Sequence, residues 1–365
     1  MIWSTNKDIR VVAGKSLYDA IDDIPIDGSV FILSSPFFQN SGAIDELTGR
    51  LSNVEIKTHI ERINNPDITQ LKEISNKYSQ EEFDWIIGIG GGSIIDAAKV
   101  LSVILPEKNE NKILKALQNN LVPNISDNIP VVAVPTTSGT GAECTQFATV
   151  WDLVNGHKYS LESDSIIPEY VILDPRLTLQ LPFDQTLFTG LDALSHATES
   201  LWNKKFNPIA RATAKEAITL IVSKLPIVLE QSDNLEARTA MQNASFLAGV
   251  AICQTKTAIA HAISYPLTYK YKISHGLACS FTIPALYELI QSNNDIDKDS
   301  LKYVEMSANF IKGLNLIEYL RTYVQPAEIV EMIDEMNNPQ RFSNFAVAVN
   351  KEQLKEVLCF SLNLH

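Results

Sequence analysis

Two kinds of hydrophobic pattern divide the chain. In the first half, short and almost continuously apolar runs are bounded by Pro, Gly and Asn: residues 30–35 (VFILSS), 85–89 (WIIGI), 130–135 (PVVAVP) and 170–174 (YVILD). Runs of that length and β-branched content predict buried strands. Pro36 and Pro175 close the first and the last. Helical periodicity spans residues 68–78 after a turn at Asn64, Asn65 and Pro66, and a helix is predicted through Asp96, Ala97, Ala98 and Lys99. The Asn-bearing stretch 109–128 reads as a loop. After Pro182 the strand-like runs give way to a 3.6-residue period rich in Ala, Leu, Lys and Glu. The pattern therefore predicts an α/β domain over residues 1–180 and an all-α domain over residues 181–365, with no internal repeat.

The run 85–89 leads straight into Gly90, Gly91, Gly92 and Ser93 and then into a helix. That order builds an anion cradle, because glycines let the backbone approach a pyrophosphate and the first N–H groups of the helix point at it. The spacing of Ser93 and Asp96 is also that of a capping box, so the pair has a purely structural reading as well. The strict G-x-G-x-x-G fingerprint is absent, since Ser93 takes its last position. A second polar loop, with Thr136, Thr137, Ser138, Gly139, Thr140 and Gly141, follows the run 130–135 at what would be the same sheet edge. It reads either as a ligand loop or as a hydroxyl-rich turn.

The stretch TGLDALSHATES carries Asp192 and His196 four residues apart, on one face of a predicted helix. They are either two of several ligands for one ion or a pair bridging ordinary neighbours. His261 and His275 follow downstream, the second at a helix start before Gly276. One carboxylate and three imidazoles suit Fe²⁺ or Zn²⁺ and suit Ca²⁺ or Mg²⁺ poorly. The other histidines, His59, His157 and His365, lack partners at ligand spacing and are expected to be structural or at the surface. Glu199 is either a carboxylate behind the ligands or a helix salt-bridge partner.

Composition narrows the setting. The 365 residues, 45% of them apolar, are enough for two cores, and a formal charge of −13 argues against nucleic acid or an anionic membrane as a partner. Cys144, Cys253, Cys279 and Cys359 form no C-x-x-C pair and read as thiols in a reducing compartment. No leader-like apolar segment or membrane-length run is visible, so a cytoplasmic location is expected.

The stretches GGGSIIDAAK (90–99), PTTSGTGAE (135–143), IIPEYVILDP (166–175) and TGLDALSHATES (189–200), with His261, His275 and Gly276, occur in an order and spacing that resemble the iron-dependent (group III) alcohol dehydrogenases. The resemblance implies a dehydroquinate-synthase-like fold with NAD(H) or NADP(H) and a divalent metal, Fe²⁺ or Zn²⁺, in a cleft between the domains. It places Asp192, His196, His261 and His275 at the metal. Gly90, Gly91, Gly92 and Ser93 fall at the pyrophosphate, and Thr136, Thr137, Ser138 and Thr140 on the second cofactor loop. Lys158 falls near the nucleotide, and Asp96 is either a helix cap or a cofactor contact. The implied chemistry is hydride transfer between nicotinamide and a small aldehyde or primary alcohol, and a homodimer is expected.

Two departures from the family pattern carry information. Ser35 stands where many NAD-dependent members have an Asp, so NADP(H) is expected to be tolerated or preferred. Tyr265 stands where many have a further His near the substrate, and Phe147 where some diol-specific members are polar. The pattern HAISYPLT is similar to the branch that includes phosphonoacetaldehyde reductases, which makes Lys272, Lys270, Lys204 and Lys205 candidates for an anionic substrate. The alternatives on the same fold are dehydrogenation of another small alcohol or a phosphorylated polyol and a dehydroquinate-synthase-like lyase. From other classes come metal-dependent hydrolysis, which leaves both polar loops without a use, and a silent scaffold, which leaves the intact ligand set unexplained.

Overall fold

The computed structural model describes residues 8–51, 54–108, 110–293 and 295–364. Six strands form one parallel sheet: β1 (Arg10–Ala13), β2 (Ser29–Ser34), β3 (Glu55–Ile60), β4 (Trp85–Gly90), β5 (Val131–Pro135) and β8 (Tyr170–Leu173), in the order β1-β8-β5-β4-β2-β3. The strands β6 (Phe147–Asp152) and β7 (His157–Glu162) form a separate antiparallel hairpin. The four apolar runs became the central strands β2, β4, β5 and β8, because a parallel strand covered on both faces must be apolar throughout. The edge strands β1 and β3 escaped the pattern for the opposite reason. In β3 (EIKTHI) all positions are exposed or half-buried, and β1 is four residues long and mostly exposed.

One reading is extended and two need correcting. Pro36 does not merely stop β2; it starts the helix Pro36–Asn40, where its fixed φ fits the first helical position. The stretch 109–128 is not all loop, since it contains the helix Lys112–Gln118, which buries Ile113, Leu114 and Leu117. Asn109 itself lies outside the described residues. The capping box is also not formed. Gly91 is the N-cap of the helix Gly92–Ile104 and makes no side-chain cap bond, while the Ser93 hydroxyl donates to Asn64 O (2.5 Å) and Asp96 accepts from Thr149 N (2.8 Å).

The chain forms two compact units: Met1–Thr137 with Ala142–Thr178, and Ser138–Gly141 with Leu179–His365. In the α/β unit the carboxyl ends of the middle strands are in step. Ser34 pairs with Ile89 and Gly90 with Pro135, and Thr136 N donates to Gly90 O (3.0 Å). The strand order reverses beside β2 and β4, so the segments following both open at the point where ligands of such sheets sit.

The helical unit is built on the helix Phe183–Leu201. Leu187, Leu191, Leu194 and Ala197 share one core with Ile218 and Ile221 of the helix Pro208–Glu230 and with Ala244 and Ala248 of the helix Leu235–Thr255. Each fully buried Leu or Ile there contributes about 1.5–3 kcal/mol, so this long apolar face fixes where the polar residues on the same helix stand. Among the described residues no single helix is long and apolar enough to cross a membrane; one bent helix pair passes that test by length and composition, and its members are core helices.

Candidate functional site

The helix Phe183–Leu201 carries Asp192, His196 and Glu199 into the interior of the helical unit, all at 7% exposure or less. His261 comes from the helix Ile259–Tyr271, and His275 opens the helix His275–Ser280. The Nε2 atoms of His196 and His261 lie 3.7 and 3.8 Å from the same oxygen, Asp192 Oδ1. Those distances are too long for hydrogen bonds. They are the separations expected of atoms that share one ion at about 2.1 Å each. The two rings stack at 4.8 Å and 17°, and the His275 ring lies 5.3 Å from that of His261.

Two buried atoms there, Asp192 Oδ1 and His196 Nδ1, have no hydrogen-bond partner among the described residues. A buried carboxylate oxygen left this way is costly. With imidazoles around it, the arrangement fits a divalent transition ion, which would satisfy the oxygen and bind neutral His. Cys279, one turn after His275, is a member of the cluster that sequence reasoning passed over. One donor atom from each of Asp192, His261, His275 and Cys279 lies within 4.8 Å of every other, and Cys279 Sγ is 3.6 Å from His275 Nε2. The i,i+4 spacing in HGLAC was the available signal.

Glu199 takes the first of its two readings. It is fully buried, and its Oε2 lies 2.7 Å from His261 Nδ1 while accepting from Ala258 N (2.8 Å). Its Oε1 accepts from Ala260 N (2.7 Å). With Nδ1 held by Glu199, the imidazole presents Nε2 toward Asp192. Burial pushes the Glu199 carboxyl up to about 7, against the N–H groups of Ala258 and Ala260 that favour its charged form. Gly276 explains how His275 arrives. A Cβ there would lie 1.8 Å from Phe188 O and 2.8 Å from Asp192 N, so only glycine lets this backbone touch the Asp192 helix.

In the α/β unit, Gly90, Gly91, Gly92 and Ser93 form the turn between β4 and its helix, and Thr136 and Thr137 follow β5. A Cβ on Gly91 would meet Thr137 Oγ1 at 3.5 Å, so the two segments touch. Ser35 caps the helix after β2 without a side-chain bond, beside the same strand ends. Behind them lies a buried ionic group. Lys99, fully buried, donates to Ala142 O (2.9 Å), Thr145 Oγ1 (3.1 Å) and Phe147 O, and its Nζ is 3.8 Å from Asp96 Oδ1. Burial pushes Asp96 upward, opposed by the charge of Lys99, and pushes Glu143 up to about 7. Asp96 therefore ties its helix to β6, a bond that no local spacing announces.

Ser138 and Thr140 fall in the short segment Ser138–Gly141, which packs with the helical unit. A Cβ on Gly139 would come within 2.7 Å of Thr189 O, and on Gly141 within 2.5 Å of Gly249 Cα. Lys158 lies exposed on β7, with Nζ 5.5 Å from the Trp151 ring centre. Phe147 opens β6 and is half-buried. Tyr265 stacks on His275 at 6.4 Å and 6°. Lys204, Lys205, Lys270 and Lys272 are all exposed, the last two with Nζ over Tyr271 and Tyr269. His59 is held by Tyr78 and Glu61, His157 is exposed, and His365 lies outside the described residues.

Known proteins agree with this geometry along both units. The family model described as iron-containing alcohol dehydrogenase matches residues 10–175, and that of the Fe-containing alcohol dehydrogenase family, C-terminal, matches residues 186–360. A sulfoacetaldehyde reductase of Bilophila wadsworthia is 37% identical over 256 residues, 70% of this chain and 65% of that protein. A phosphonoacetaldehyde reductase of Streptomyces viridochromogenes is 37% identical over 209 residues, 56% of this chain and 52% of that one. Among solved structures, a sulfoacetaldehyde reductase from Bifidobacterium kashiwanohense in complex with NAD+ superposes with a TM-score of 0.89 at 25% identity, covering 100% of both chains.

Proposed function

Because the chain belongs to the iron-containing alcohol dehydrogenase family, we propose that it is a metal-dependent, nicotinamide-linked oxidoreductase that reduces a small anionic aldehyde, a sulfonate or phosphonate, to the corresponding alcohol. The observation that carries the reading is the placing of His196 and His261 Nε2 around the unsatisfied Asp192 Oδ1, with His275 beside them. On this reading Asp192, His196, His261 and His275 hold Fe²⁺ or Zn²⁺, and residues 181–365 form the metal and substrate domain. Residues 1–180 form the dinucleotide domain.

A bound divalent ion supplies Lewis acidity toward the oxygen that gains charge during reduction. The chain supplies the rest. Glu199 keeps His261 in one tautomer and one orientation. Burial of Asp192, His196 and His261, at 4%, 7% and 2% exposure, keeps water away from these side chains. The turn at Gly91 and Gly92 offers helix N–H groups to a pyrophosphate, and Thr136 and Thr137 stand against it. Ser35, a neutral side chain where a carboxylate would repel a 2′-phosphate, supports use of NADP(H) beside NAD(H). The sulfonate or phosphonate follows from the names of the two relatives at 37% identity.

The test is one panel. Protein reconstituted with Fe²⁺ or with Zn²⁺ is assayed with NADH and NADPH on sulfoacetaldehyde, phosphonoacetaldehyde and propanal. The expected result is oxidation of reduced cofactor with a higher kcat/KM for an anionic aldehyde than for propanal. Equal efficiency on all three would remove the anionic assignment, and nicotinamide turnover without net oxidation would replace reduction by a lyase reaction.

A further inference from the structure

The helix Gly92–Ile104 is apolar along most of its length, with Ile94, Ile95, Ala97, Ala98, Val100 and Leu101 buried, yet Ser93, Asp96 and Lys99 stand on it three residues apart. That spacing sets them in one line along the helix. Each ends on a different segment of the α/β unit. Ser93 Oγ donates to Asn64 O (2.5 Å), Asp96 accepts from Thr149 N (2.8 Å), and Lys99 reaches residues 142–147. Lys99 is the unexpected member, because a fully buried ammonium is costly to take out of water. A methionine there would fill the same space without that cost.

The direction of the side chain is fixed by its bonds. An ammonium has three donors, and Lys99 Nζ donates to Ala142 O (2.9 Å), Thr145 Oγ1 (3.1 Å) and Phe147 O. All three acceptors belong to one short segment, which opens with the 3₁₀ turn Ala142–Cys144 and leads into β6. Asp96 Oδ1, 3.8 Å from Nζ, is beyond hydrogen-bond reach. Burial also pushes Asp96 and Glu143 toward their neutral forms. The ammonium is therefore directed at the course of a backbone more than at an acid.

What that backbone carries gives the bonds a use. The polar loop of residues 136–141 begins where Thr136 N donates to Gly90 O (3.0 Å), and it ends at Ala142, whose O is held by Lys99. Both ends are thus tied to β4 and to the helix that follows it, the two elements on either side of the turn at Gly91. A Cβ on Gly91 would meet Thr137 Cγ2 at 3.4 Å and Oγ1 at 3.5 Å, so loop and turn stand at van der Waals separation. The chain leaves the α/β unit after Thr137 and re-enters it at Ala142. Without a bond at the returning end, the place of Thr137 against the turn would be set from one side alone.

Resting on the dinucleotide reading above, we propose that Lys99 is a positioning residue for the cofactor's pyrophosphate, pinning the returning end of the loop that carries Thr136 and Thr137 to the helix whose first N–H groups face the anion. Fully buried, it acts through Ala142, Thr145 and Phe147 rather than on the cofactor. The two polar loops then form one cradle with a fixed width, and a pyrophosphate meets donors already in place.

The test compares the wild type with Lys99→Met, which keeps the stem and removes the donors, and with Thr145→Val, which removes one acceptor. Each is titrated calorimetrically with ADP, which carries the pyrophosphate, and with adenosine, which does not; Zn²⁺ affinity by chelator competition and the melting temperature report the fold. For K99M the expected result is ADP binding weaker by roughly 10-fold or more, as when hydrogen bonds to a charged group are misplaced, with adenosine and Zn²⁺ within about 2-fold. In turnover its KM for reduced cofactor should rise by a similar factor while kcat at saturating cofactor changes by less than about 3-fold. T145V should shift ADP in the same direction by roughly 2- to 5-fold. A wild type that binds ADP more tightly than adenosine, beside a folded K99M that binds ADP within about 2-fold of it, overturns the role of Lys99 and leaves the dinucleotide reading standing. A wild type that binds ADP no better than adenosine overturns the pyrophosphate reading itself. Equal losses of ADP, adenosine and Zn²⁺ in K99M assign Lys99 to structure instead. If K99M does not fold, T145V decides, and ADP binding at the wild-type value in that variant overturns the proposal.

Discussion

Replacing Glu199 by Gln isolates one property, the number of acceptors behind His261. The carboxylate accepts at both oxygens, Oε2 from Ala258 N with His261 Nδ1 also on it, and Oε1 from Ala260 N. An amide has one acceptor and one donor group to put in their place. If its oxygen replaces Oε2, the NH₂ faces the N–H of Ala260, and a buried donor goes unpaired. If its oxygen replaces Oε1, the NH₂ faces Ala258 N–H and His261 Nδ1, which forces the imidazole proton onto Nε2, the nitrogen 3.8 Å from Asp192 Oδ1. The first arrangement costs about 1–3 kcal/mol, or roughly 5- to 150-fold in an equilibrium constant. The second takes away the Nε2 lone pair with which His261 would serve as a ligand on the proposed reading. Measured losses at such supporting groups run at about 10- to 100-fold in metal affinity. The assay is chelator competition for Zn²⁺ and Co²⁺, with the visible spectrum of the Co²⁺ protein reporting coordination and the melting temperature of the apoprotein reporting the fold. E199Q that stays folded, binds both ions within twofold of the wild type and leaves the Co²⁺ spectrum unchanged would refute the assigned role.

Two further perturbations test the packing and the buried charges. Gly276→Ala places a methyl 1.8 Å from Phe188 O, so two helices must part; overpacking of this kind costs about 1–3 kcal/mol or more, and a lower melting temperature with divalent-ion affinity down by about tenfold or more is expected, whereas unchanged affinity by chelator competition would count against it. Glu143, pushed by burial from 4.5 up to about 7, makes the folded protein bind more protons than the unfolded chain between those values. Its stabilising share is therefore complete below about 4.5 and is lost as pH rises through about 7, on the order of 3 kcal/mol in all. Glu199 contributes a decline of the same sign in the apoprotein. Urea midpoints of the apoprotein from pH 4.5 to 8 should fall for the wild type and fall about half as much for Glu143→Gln; parallel curves for the two proteins would sink the argument.

How much was legible follows from how local each determinant is. The central strands could be read because burial on both faces leaves apolar residues no alternative, and the Asp192 and His196 pair because the helical repeat alone puts them on one face. The edge strands β1 and β3 carry no such pattern, since one of their neighbours is solvent. The helix Lys112–Gln118 was hidden by its Asn flanks. Asn111 enters it in the left-handed region, where Asn is tolerated, and its three apolar contacts are too few to outweigh the turn residues around them. The supposed capping box failed because two distant groups, Asn64 O and Thr149 N, made better partners for Ser93 and Asp96 than the helix end did.

The same reasoning explains why the supporting residues were harder to find than the proposed metal ligands. A ligand is conspicuous by its type, because few side chains bind a transition ion and the chain has only six His. Glu199 is chemically ordinary, and its role depends on Ala258 and Ala260, about sixty residues away, turning their N–H groups toward it. One carboxylate therefore holds both the imidazole of His261 and the backbone of Ala258 and Ala260 that leads into its helix. The proposed ligand His261 and the start of its helix are thus linked through one side chain, and substitution at Glu199 disturbs both.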